Sequence, residues 1–414
     1  MSSIAVTGSA SGTGVVSLLA PVTNTNRTLT LPDATGTVLS TASTTGISGS
    51  AISSGVVAEA YGGTGTSVGY NGFKNRIING AMTIDQRNAG ASVATSSGSD
   101  VYTLDRWVAV YSATTKYTVQ QNAGSVTPPT GFTNYAGITS TSAYSVPSNG
   151  YFAYVQRVEG YNVADLGWGA AGAATVTLSF WVRSSLTGTF GGSITNNAEN
   201  RSYPFSYTIS AANTWEQKSV TIAGDTSGTW LTTNGAGLKI WLGLGMGSSF
   251  SGTAGAWAGA GYYSSTGATS VVGTNGATFY ITGVQLEKGS TATAFDYRPY
   301  ELQLCQRYFT TSYEPGTAIG TVTTTGQIGR YTDAAGNYCS IQIFYPVRMR
   351  VAPTIVSYGV LSGATSGQVS GDSGNKTSSV TGGGSSTACF VSTNNVSSGA
   401  GESLRCQFTA SSEL

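Results

Sequence analysis

The sequence has 414 residues, of which 40% are hydrophobic and only 9% are charged. Nineteen basic and 18 acidic residues leave a net charge of +1, so we expect no basic surface that would hold nucleic-acid phosphates. No stretch approaches the ~18 consecutive apolar residues of a membrane-spanning helix, and we expect no membrane insertion. With so little charge, the surface must be covered mainly by Ser, Thr, Asn and Gly, which is typical of extracellular β-proteins.

The aromatic and glycine content favours a folded, β-rich chain. There are 7 Trp, 23 Tyr and 13 Phe, enough for packed cores, and 57 Gly against 10 Pro, which indicates many tight turns. The first residues, MSSIAVTGSA, lack the basic and apolar segments of a secretory signal. We therefore expect a protein that is made and assembled in a cytoplasm and works outside it.

The absence of histidine excludes several classes of catalytic and metal site. Ser-His-Asp and Cys-His arrangements need histidine, as do zinc sites with imidazole ligands, and the sequence has none. The cysteines match no metal-ligand spacing, and we expect them either to pack as small hydrophobic side chains or to form a disulfide in the C-terminal region: Cys305, Cys339, Cys389 and Cys406. We predict no catalytic residue, cofactor or metal, although a site made of two carboxylates is still compatible with the composition.

Residues 1–70 are poor in aromatic side chains and rich in Ser, Thr, Gly and Ala. Alternation at residues 28–31, a Pro-Asp turn and then residues 36–39 predict a short hairpin. A hairpin this small cannot bury a core alone, so it needs a second chain or another protein, unless the segment is a flexible linker. The glycine run at residues 61–66 lacks the Lys and the helix of a phosphate-binding loop, and it predicts a turn.

The central segment, residues 71–300, is dense in aromatic side chains and shows the alternation of β-strands. One inward-facing set comprises Val176, Leu178, Phe180 and Val182. A second set comprises Ile240, Leu242, Leu244 and Met246. A third set skips one residue at Gly283, where we predict a β-bulge, and comprises Phe279, Ile281, Val284 and Leu286. These strands, with Asn/Gly turns and no amphipathic helix, predict an antiparallel β-sandwich of jelly-roll type.

The last segment, residues 301–414, begins with a short helical or extended joint at residues 301–309. Alternation resumes at residues 340–345, and residues 357–388 are rich in Ser, Gly and Thr. This pattern predicts a small β-domain that is poor in large apolar side chains and marginal as a monomer. We therefore expect association into a homotrimer. Four aromatic residues form either a core or an exposed tip here: Tyr308, Phe309, Tyr313 and Tyr345.

Several distinctive segments are spread over most of the chain, among them TLTLPDATGTVL, AYGGTGT, NRIINGAMTIDQRNAG, YTLDRW and FYITGVQLEKGSTATAFDYRPYELQLCQRYF. These segments resemble segments of bacteriophage tail fibres and prophage-encoded receptor-binding proteins. The central segment also resembles the jelly-roll carbohydrate-binding modules that accompany glycan-acting enzymes, in SFWVRSS, TWEQKSVTI and FYITGVQLEKG. Neither resemblance implies a catalytic residue in this sequence.

The resemblance implies an all-β, homotrimeric fibre subunit on the exterior of a virion, on its tail or capsid, assembled in the host cytoplasm. Residues 1–70 would be its virion-attachment and trimerisation region, residues 71–300 its jelly-roll domain and residues 301–414 its C-terminal tip. Its partners would be other virion proteins, bound through the N-terminal region, and a host surface glycan or other receptor, without catalysis. Two alternatives stay open: a capsid-decorating fibre or cement protein, and a polysaccharide-degrading tailspike.

Candidate binding residues are aromatic, because sugars are held by flat aromatic faces together with hydrogen-bonding side chains. The long loop at residues 247–276 holds little except small residues and three aromatics, which we predict to form a glycan platform: Trp257, Tyr262 and Tyr263. The alternative for these three is packing at a trimer interface or against the sandwich edge. Trp230, after a Gly-Thr turn, and Trp181, which faces away from the inward set of its strand, are further candidates. The other tryptophans are assigned to packing: Trp107, Trp168, Trp215 and Trp241.

Overall fold

The computed structural model describes residues 74–96, 100–331, 339–372, 374–380, 384–393 and 403–414, which all belong to one compact unit. The predicted hairpin at residues 28–39 and the predicted glycine turn at residues 61–66 lie outside these ranges. The part of the chain that the structure describes contains no helix long and apolar enough to cross a membrane.

Between residues 93 and 288, the described chain forms a β-sandwich. Its strands are β1 (Val93–Ala94), β2 (Val101–Tyr102), β3 (Trp107–Tyr111), β4 (Tyr117–Gln121), β5 (Ala136–Ser140), β6 (Tyr151–Glu159), β7 (Val176–Ser184), β8 (Gly188–Asn196), β9 (Ser202–Ile209), β10 (Glu216–Ile222), β11 (Ala236–Met246), β12 (Ser251–Gly252), β13 (Ser264–Ser265) and β14 (Thr278–Lys288). The first sheet has the order β1-β4-β5-β14-β7-β10, and the second sheet has the order β2-β3-β6-β11-β8-β9. Neighbouring strands in both sheets are antiparallel, so the predicted all-β, antiparallel sandwich is confirmed.

The inner faces of the two sheets form one large apolar core, and the predicted alternation builds it. The inward sets of β7 and β14 are fully buried in this core, with no exposed side-chain surface: Val176, Leu178, Phe180, Val182, Phe279, Ile281, Val284 and Leu286. Burial of side chains of this size stabilises a fold by about 1.5–3 kcal/mol each. The skip at Gly283 is also confirmed, because the register of β14 against β7 shifts between Thr282 and Gln285.

The prediction for β11 is wrong at its last residue. Ile240, Leu242 and Leu244 are buried in the core as expected, whereas Met246 packs with Trp241 and its neighbours on the outer face of the second sheet. The reason is a register shift between Gly243 and Gly245. An irregularity of this kind adds one residue to the strand and moves the next side chain to the other face.

The C-terminal part is a second, smaller arrangement of strands that follows a short helix. Its elements are α1 (Glu301–Gln306), β15 (Phe309–Thr311), β16 (Ile328–Tyr331), β17 (Cys339–Phe344), β18 (Thr354–Tyr358), β19 (Gln368–Gly371), β20 (Gly374–Thr377), β21 (Ser379–Val380), β22 (Ala388–Thr393) and β23 (Ser403–Ser411). Strand β23 pairs with β15, β16, β18 and β19, while β17, β22 and β21 form a separate sheet. The boundaries near residues 70 and 300 stay predictions.

The burial of four aromatic side chains in the C-terminal part decides whether they form a core or an exposed tip. The four aromatic residues assigned to a core or a tip are all buried, so they are packing residues: Tyr308, Phe309, Tyr313 and Tyr345. Phe344 on β17, by contrast, is 70% exposed. The three cysteine side chains that the structure describes are buried and unbridged: Cys305, Cys389 and Cys406.

Charged side chains join the sandwich to the C-terminal part. Glu413, just after β23, accepts hydrogen bonds from Arg87 at 2.7 Å and from Arg106. Arg307, just after α1, donates two hydrogen bonds to the buried carboxylate of Glu159 at the end of β6. Bidentate pairs of this kind fix both distance and orientation. The junction is therefore held by specific ionic contacts as well as by apolar packing.

Candidate functional site

Trp181 lies on the outer face of the first sheet. Its neighbours in β7, Phe180 and Val182, point inward and are fully buried, so the alternation of the strand turns the Trp181 indole outward. This orientation confirms the sequence prediction. Across the sheet, Trp181 is aligned with Gln217 of β10 and Thr282 of β14. The Trp181 side chain is half-buried and Gln217 is exposed.

Two loops form an aromatic wall beside Trp181. Phe132 of the loop between β4 and β5 packs against Phe295 and Tyr297 of the segment after β14, with ring centroids 5.2 and 5.7 Å apart. The Tyr297 hydroxyl donates a hydrogen bond to the carbonyl of Gly131, which ties the two loops together. A phenol is protonated at neutral pH, and partial burial raises the pKa of Tyr297 further, so its hydroxyl is a donor. The wall and the sheet enclose a hollow of about 300 Å³ that opens to solvent.

The segment after β14 is held in place by two buried side chains on the outer face of the sheet. Glu287 accepts hydrogen bonds from the backbone N–H and the hydroxyl of Thr293, at 2.8 and 2.7 Å. Gln285 donates to Glu287 at 3.0 Å and accepts the backbone N–H of Asp296 at 2.9 Å. Both side chains are almost fully buried, and buried, satisfied networks of this kind are rigid. The position of the aromatic wall is therefore fixed before any ligand arrives.

Gly283 sets the floor of the hollow. Its φ of +62° lies in the left-handed region that favours glycine. A Cβ atom at this position would lie 2.6 Å from Cζ of Phe132 and 3.2 Å from Cδ1 of Trp181. The bulge and the missing side chain together allow Phe132 and Trp181 to approach the same point of the sheet.

A second hollow adjoins the first along the edge strand β10. Its volume is about 420 Å³, and it shares Gln217, Thr293 and Ala294 with the first hollow. We call the two together the Trp181 groove, which is lined by Thr130, Gly131, Phe132, Ser179, Trp181, Gln217, Lys218, Ser219, Gly283, Ala292, Thr293, Ala294, Phe295 and Tyr297. Lys218 donates to Glu216 at 2.5 Å, and this hydrogen bond lowers the pKa of Glu216.

The indole N–H distinguishes Trp181 from the other tryptophans. Six of the seven donate this N–H to an acceptor in the protein, whereas no acceptor for Trp181 is found among the described residues. A buried indole N–H normally has a hydrogen-bond partner. Within the described chain, the unpaired N–H of Trp181 is an exception, and it is available to a ligand. The six satisfied donors are Trp107 to Asn79, Trp168 to Ala174, Trp215 to Thr127, Trp230 to Ser227, Trp241 to Thr195 and Trp257 to Ala223.

The five residues predicted from the sequence do not lie together. Trp257 and Trp230 pack edge to face with each other, with ring centroids 5.5 Å apart, and with Trp168 at 5.3 and 4.7 Å. This cluster belongs to the sandwich core. Tyr262 covers Gly252, where an added Cβ would lie 2.3 Å from its ring. Trp181 lies apart from all four, in the groove.

Tyr263 lies on the outer face of the second sheet, between two parallel rings. Trp241 stacks on it at 4.0 Å and Phe250 at 4.9 Å, both within 10° of parallel. Its hydroxyl donates to Glu199 at 2.5 Å. Both faces of the Tyr263 ring are therefore occupied, and Trp257 and Tyr263 belong to different clusters. The loop aromatics do not share one open plane.

Four residues of the groove were not predicted from the sequence: Phe132, Gln217, Phe295 and Tyr297. Gln217 had a partial signal, because Val220 and Ile222 alternate with Ser219 and Thr221, and Gln217 falls in the same register as the two polar residues. The three rings had none, since they lie in loops without periodicity and meet only through the fold. No Asp or Glu is among the residues that line the groove, and the described residues contain no group of three or more Cys, Asp or Glu placed to hold a metal ion.

This chain is similar to known proteins in structure, and no similarity in sequence was found. No protein-family model and no curated protein matches the sequence. Among solved structures, the chain is similar to the enzymatically active domain of tailspike protein 4 from bacteriophage CBA120, at 12% identity and a TM-score of 0.26, over 48% of this chain and 22% of that one. The chain thus spans less than a quarter of that tailspike structure.

Two further similar structures are described as carbohydrate-binding modules. One is described as CBM4, at 16% identity and a TM-score of 0.26, over 51% of this chain and 98% of that one. The other is the family 11 carbohydrate-binding module from Clostridium thermocellum, at 11% identity and a TM-score of 0.25, over 48% of this chain and 97% of that one. TM-scores of this size carry no functional conclusion, so the function is inferred from the groove itself.

Proposed function

We propose that this chain is a non-catalytic fibre subunit of a virion and that the Trp181 groove attaches the particle to a glycan on the host surface. The observation that carries the glycan part is the Trp181 indole, which keeps an outward position and a free N–H beside the exposed amide of Gln217. An aromatic face for the C–H side of a sugar ring, with neutral donors and acceptors for its hydroxyls, is the combination that holds carbohydrates.

The lining of the groove supports binding without catalysis. Hydrolysis of a glycosidic bond uses two carboxyl groups on either side of that bond, and no carboxylate lines the groove. If purified protein incubated with host surface polysaccharide produced new reducing ends, the tailspike alternative would be favoured instead.

Replacing Trp181 tests the glycan part directly. Trp181→Ala removes the ring face and the N–H together, and we expect a loss of about 2 kcal/mol, the size of a binding hot spot, or roughly 30-fold in affinity. Trp181→Phe keeps a ring without the N–H and should lose less. The measurement is retention of the purified chain on host cells or on immobilised host surface glycan.

Trp257→Phe is the matched control, because Trp257 is a partly exposed tryptophan outside the groove whose N–H is bonded to Ala223. We expect its retention to equal that of the unmodified chain. If Trp257→Phe loses binding and Trp181→Ala does not, the loop at residues 247–276 is the contact and the groove is not.

The virion part of the proposal is supported by the sequence segments that resemble tail fibres and receptor-binding proteins. We propose a homotrimer on the virion exterior, attached to other virion proteins through residues 1–70. Immunogold labelling of particles should place the chain on the tail or the capsid, and light scattering of the purified chain should give three times the mass of one chain. A stable monomer in dilute buffer contradicts the trimer.

A further inference from the structure

We infer that the Trp181 groove takes an uncharged, extended glycan that spans both hollows, and that it selects against acidic polymers and single sugars. This inference rests on the proposed function, because it specifies the ligand of the same groove. It has two separate supports, the continuity of the two hollows and the charge of their lining.

Continuity argues for a chain of several sugar units. The two hollows share Gln217, Thr293 and Ala294, so a ligand passes from one to the other without crossing a wall. Each hollow, at about 300 and about 420 Å³, is within the range of sites that hold one small molecule. The stacking ring, Trp181, lines only the first hollow. A single sugar stacked there leaves the second hollow to water, whereas a longer chain contacts both.

The direction of the groove fits an extended polymer. Gln217 and Ser219 are alternate residues of the edge strand β10, both exposed and both on the outer face of the sheet. The opposite side is the segment Ala292–Ala294, which Glu287 and Gln285 hold in place. The second hollow therefore follows the strand and exposes neutral hydroxyl and amide groups along its length.

The charge of the lining argues for an uncharged ligand. Lys218 is the only charged residue among the lining residues, and its ammonium group donates to Glu216 at 2.5 Å. The other polar side chains of the lining are neutral: Thr130, Ser179, Trp181, Gln217, Ser219, Thr293 and Tyr297. A carboxylate or phosphate entering the groove would lose water and meet no unpaired cation, which is unfavourable.

An array of oligosaccharides of one to six units tests both supports. Half of the probes are neutral, and half carry uronic or sialic acid at matched lengths. We expect the chain to retain neutral probes of three or more units at least tenfold more strongly than the corresponding single sugars. We also expect retention to be unchanged between 50 and 500 mM NaCl, and to fall on Trp181→Ala. Preference for acidic probes, or full retention of single sugars, overturns the inference while leaving glycan binding intact.

A second variant tests the role of the ion pair. Glu216→Gln keeps an oxygen acceptor for the backbone N–H groups of Ser210 and Ala211, which Glu216 now binds at 2.8 and 2.9 Å, but it frees the charge of Lys218. Lys218 is aligned with the inward-facing Phe180, so its side chain leaves β10 on the face opposite Gln217 and Ser219. We therefore expect unchanged retention of both neutral and acidic probes. If acidic probes gain several-fold and lose that gain in 500 mM NaCl, a cation reaches the ligand and the charge support is wrong. If no probe of either class is retained, the proposed function itself fails.

Discussion

Replacing Asp105 with Asn should remove a pH dependence of stability near the junction of the sandwich with the C-terminal part. The Asp105 side chain is fully buried, and its two carboxyl oxygens accept hydrogen bonds from the backbone and side-chain N–H groups of Gln86. Burial raises the pKa of Asp105 from 3.8 to about 7, against the opposing effect of Arg87, whose guanidinium is 4.0 Å away. The folded protein therefore binds this proton more tightly than the unfolded chain does.

The direction and the magnitude follow from that difference in proton binding. Because the folded pKa is raised, the contribution of Asp105 to stability is greatest below pH 4, falls as the pH rises to about 7, and is level above it. One pKa unit corresponds to about 1.4 kcal/mol, so a rise of about three units amounts to about 4 kcal/mol. Of this, about 2 kcal/mol is lost between pH 5.5 and 7.

Urea unfolding of the unmodified chain and of Asp105→Asn, measured in parallel from pH 5.5 to 8, tests the prediction. The Asn side chain has no proton to lose, so the free energy of unfolding of the variant should lack this decline. A hydrogen bond lost in the variant shifts its whole curve without changing the slope, and other titrating groups contribute equally to both proteins. Parallel curves across this range would refute the reasoning.

Two further predictions concern the groove and the core. Gly283→Ala should cost about 1 kcal/mol of stability from its positive φ, and its Cβ should displace Phe132 and weaken retention on host glycan; unchanged retention would contradict the role of Gly283 as the floor. Phe180→Ala should lower the free energy of unfolding by about 3–5 kcal/mol, because Phe180 is fully buried. Phe344→Ala, at a 70% exposed position, is its control and should change that free energy by less than about 0.5 kcal/mol in the same urea titration.

The sandwich was predictable from the sequence because its signals are local. Alternation along residues 176–182 requires only that one face of a strand be buried, and the skip at Gly283 requires only that one residue be added. The outward position of Trp181 follows from the same period. The failure at Met246 shows the limit of this reasoning. The apolar residues at 240, 242, 244 and 246 alternate without a skip, so Gly243 and Gly245 permit an irregularity there but do not predict it.

The groove could not be predicted beyond Trp181. Its wall depends on a hydrogen bond between Tyr297 and Gly131, which are 166 positions apart in the sequence, and no local pattern reports such a contact. The long loop at residues 247–276 was predicted to bind a glycan because its three aromatic residues lie among small ones. In the structure, both faces of the Tyr263 ring are covered by other rings. Whether a tryptophan N–H is already bonded is likewise a property of the folded chain, and this property separates Trp181 from Trp257.

The ionic contacts at the junction have a mechanical consequence. Glu413 and Glu159 have side chains only 7% and 1% exposed, so their bonds to arginines are largely shielded from dissolved ions. A tensile load on the C-terminal strands must pull opposite charges apart in a poorly hydrated environment before those strands can separate from the sandwich. Resistance to such a load should therefore be nearly the same in fresh water and in brine.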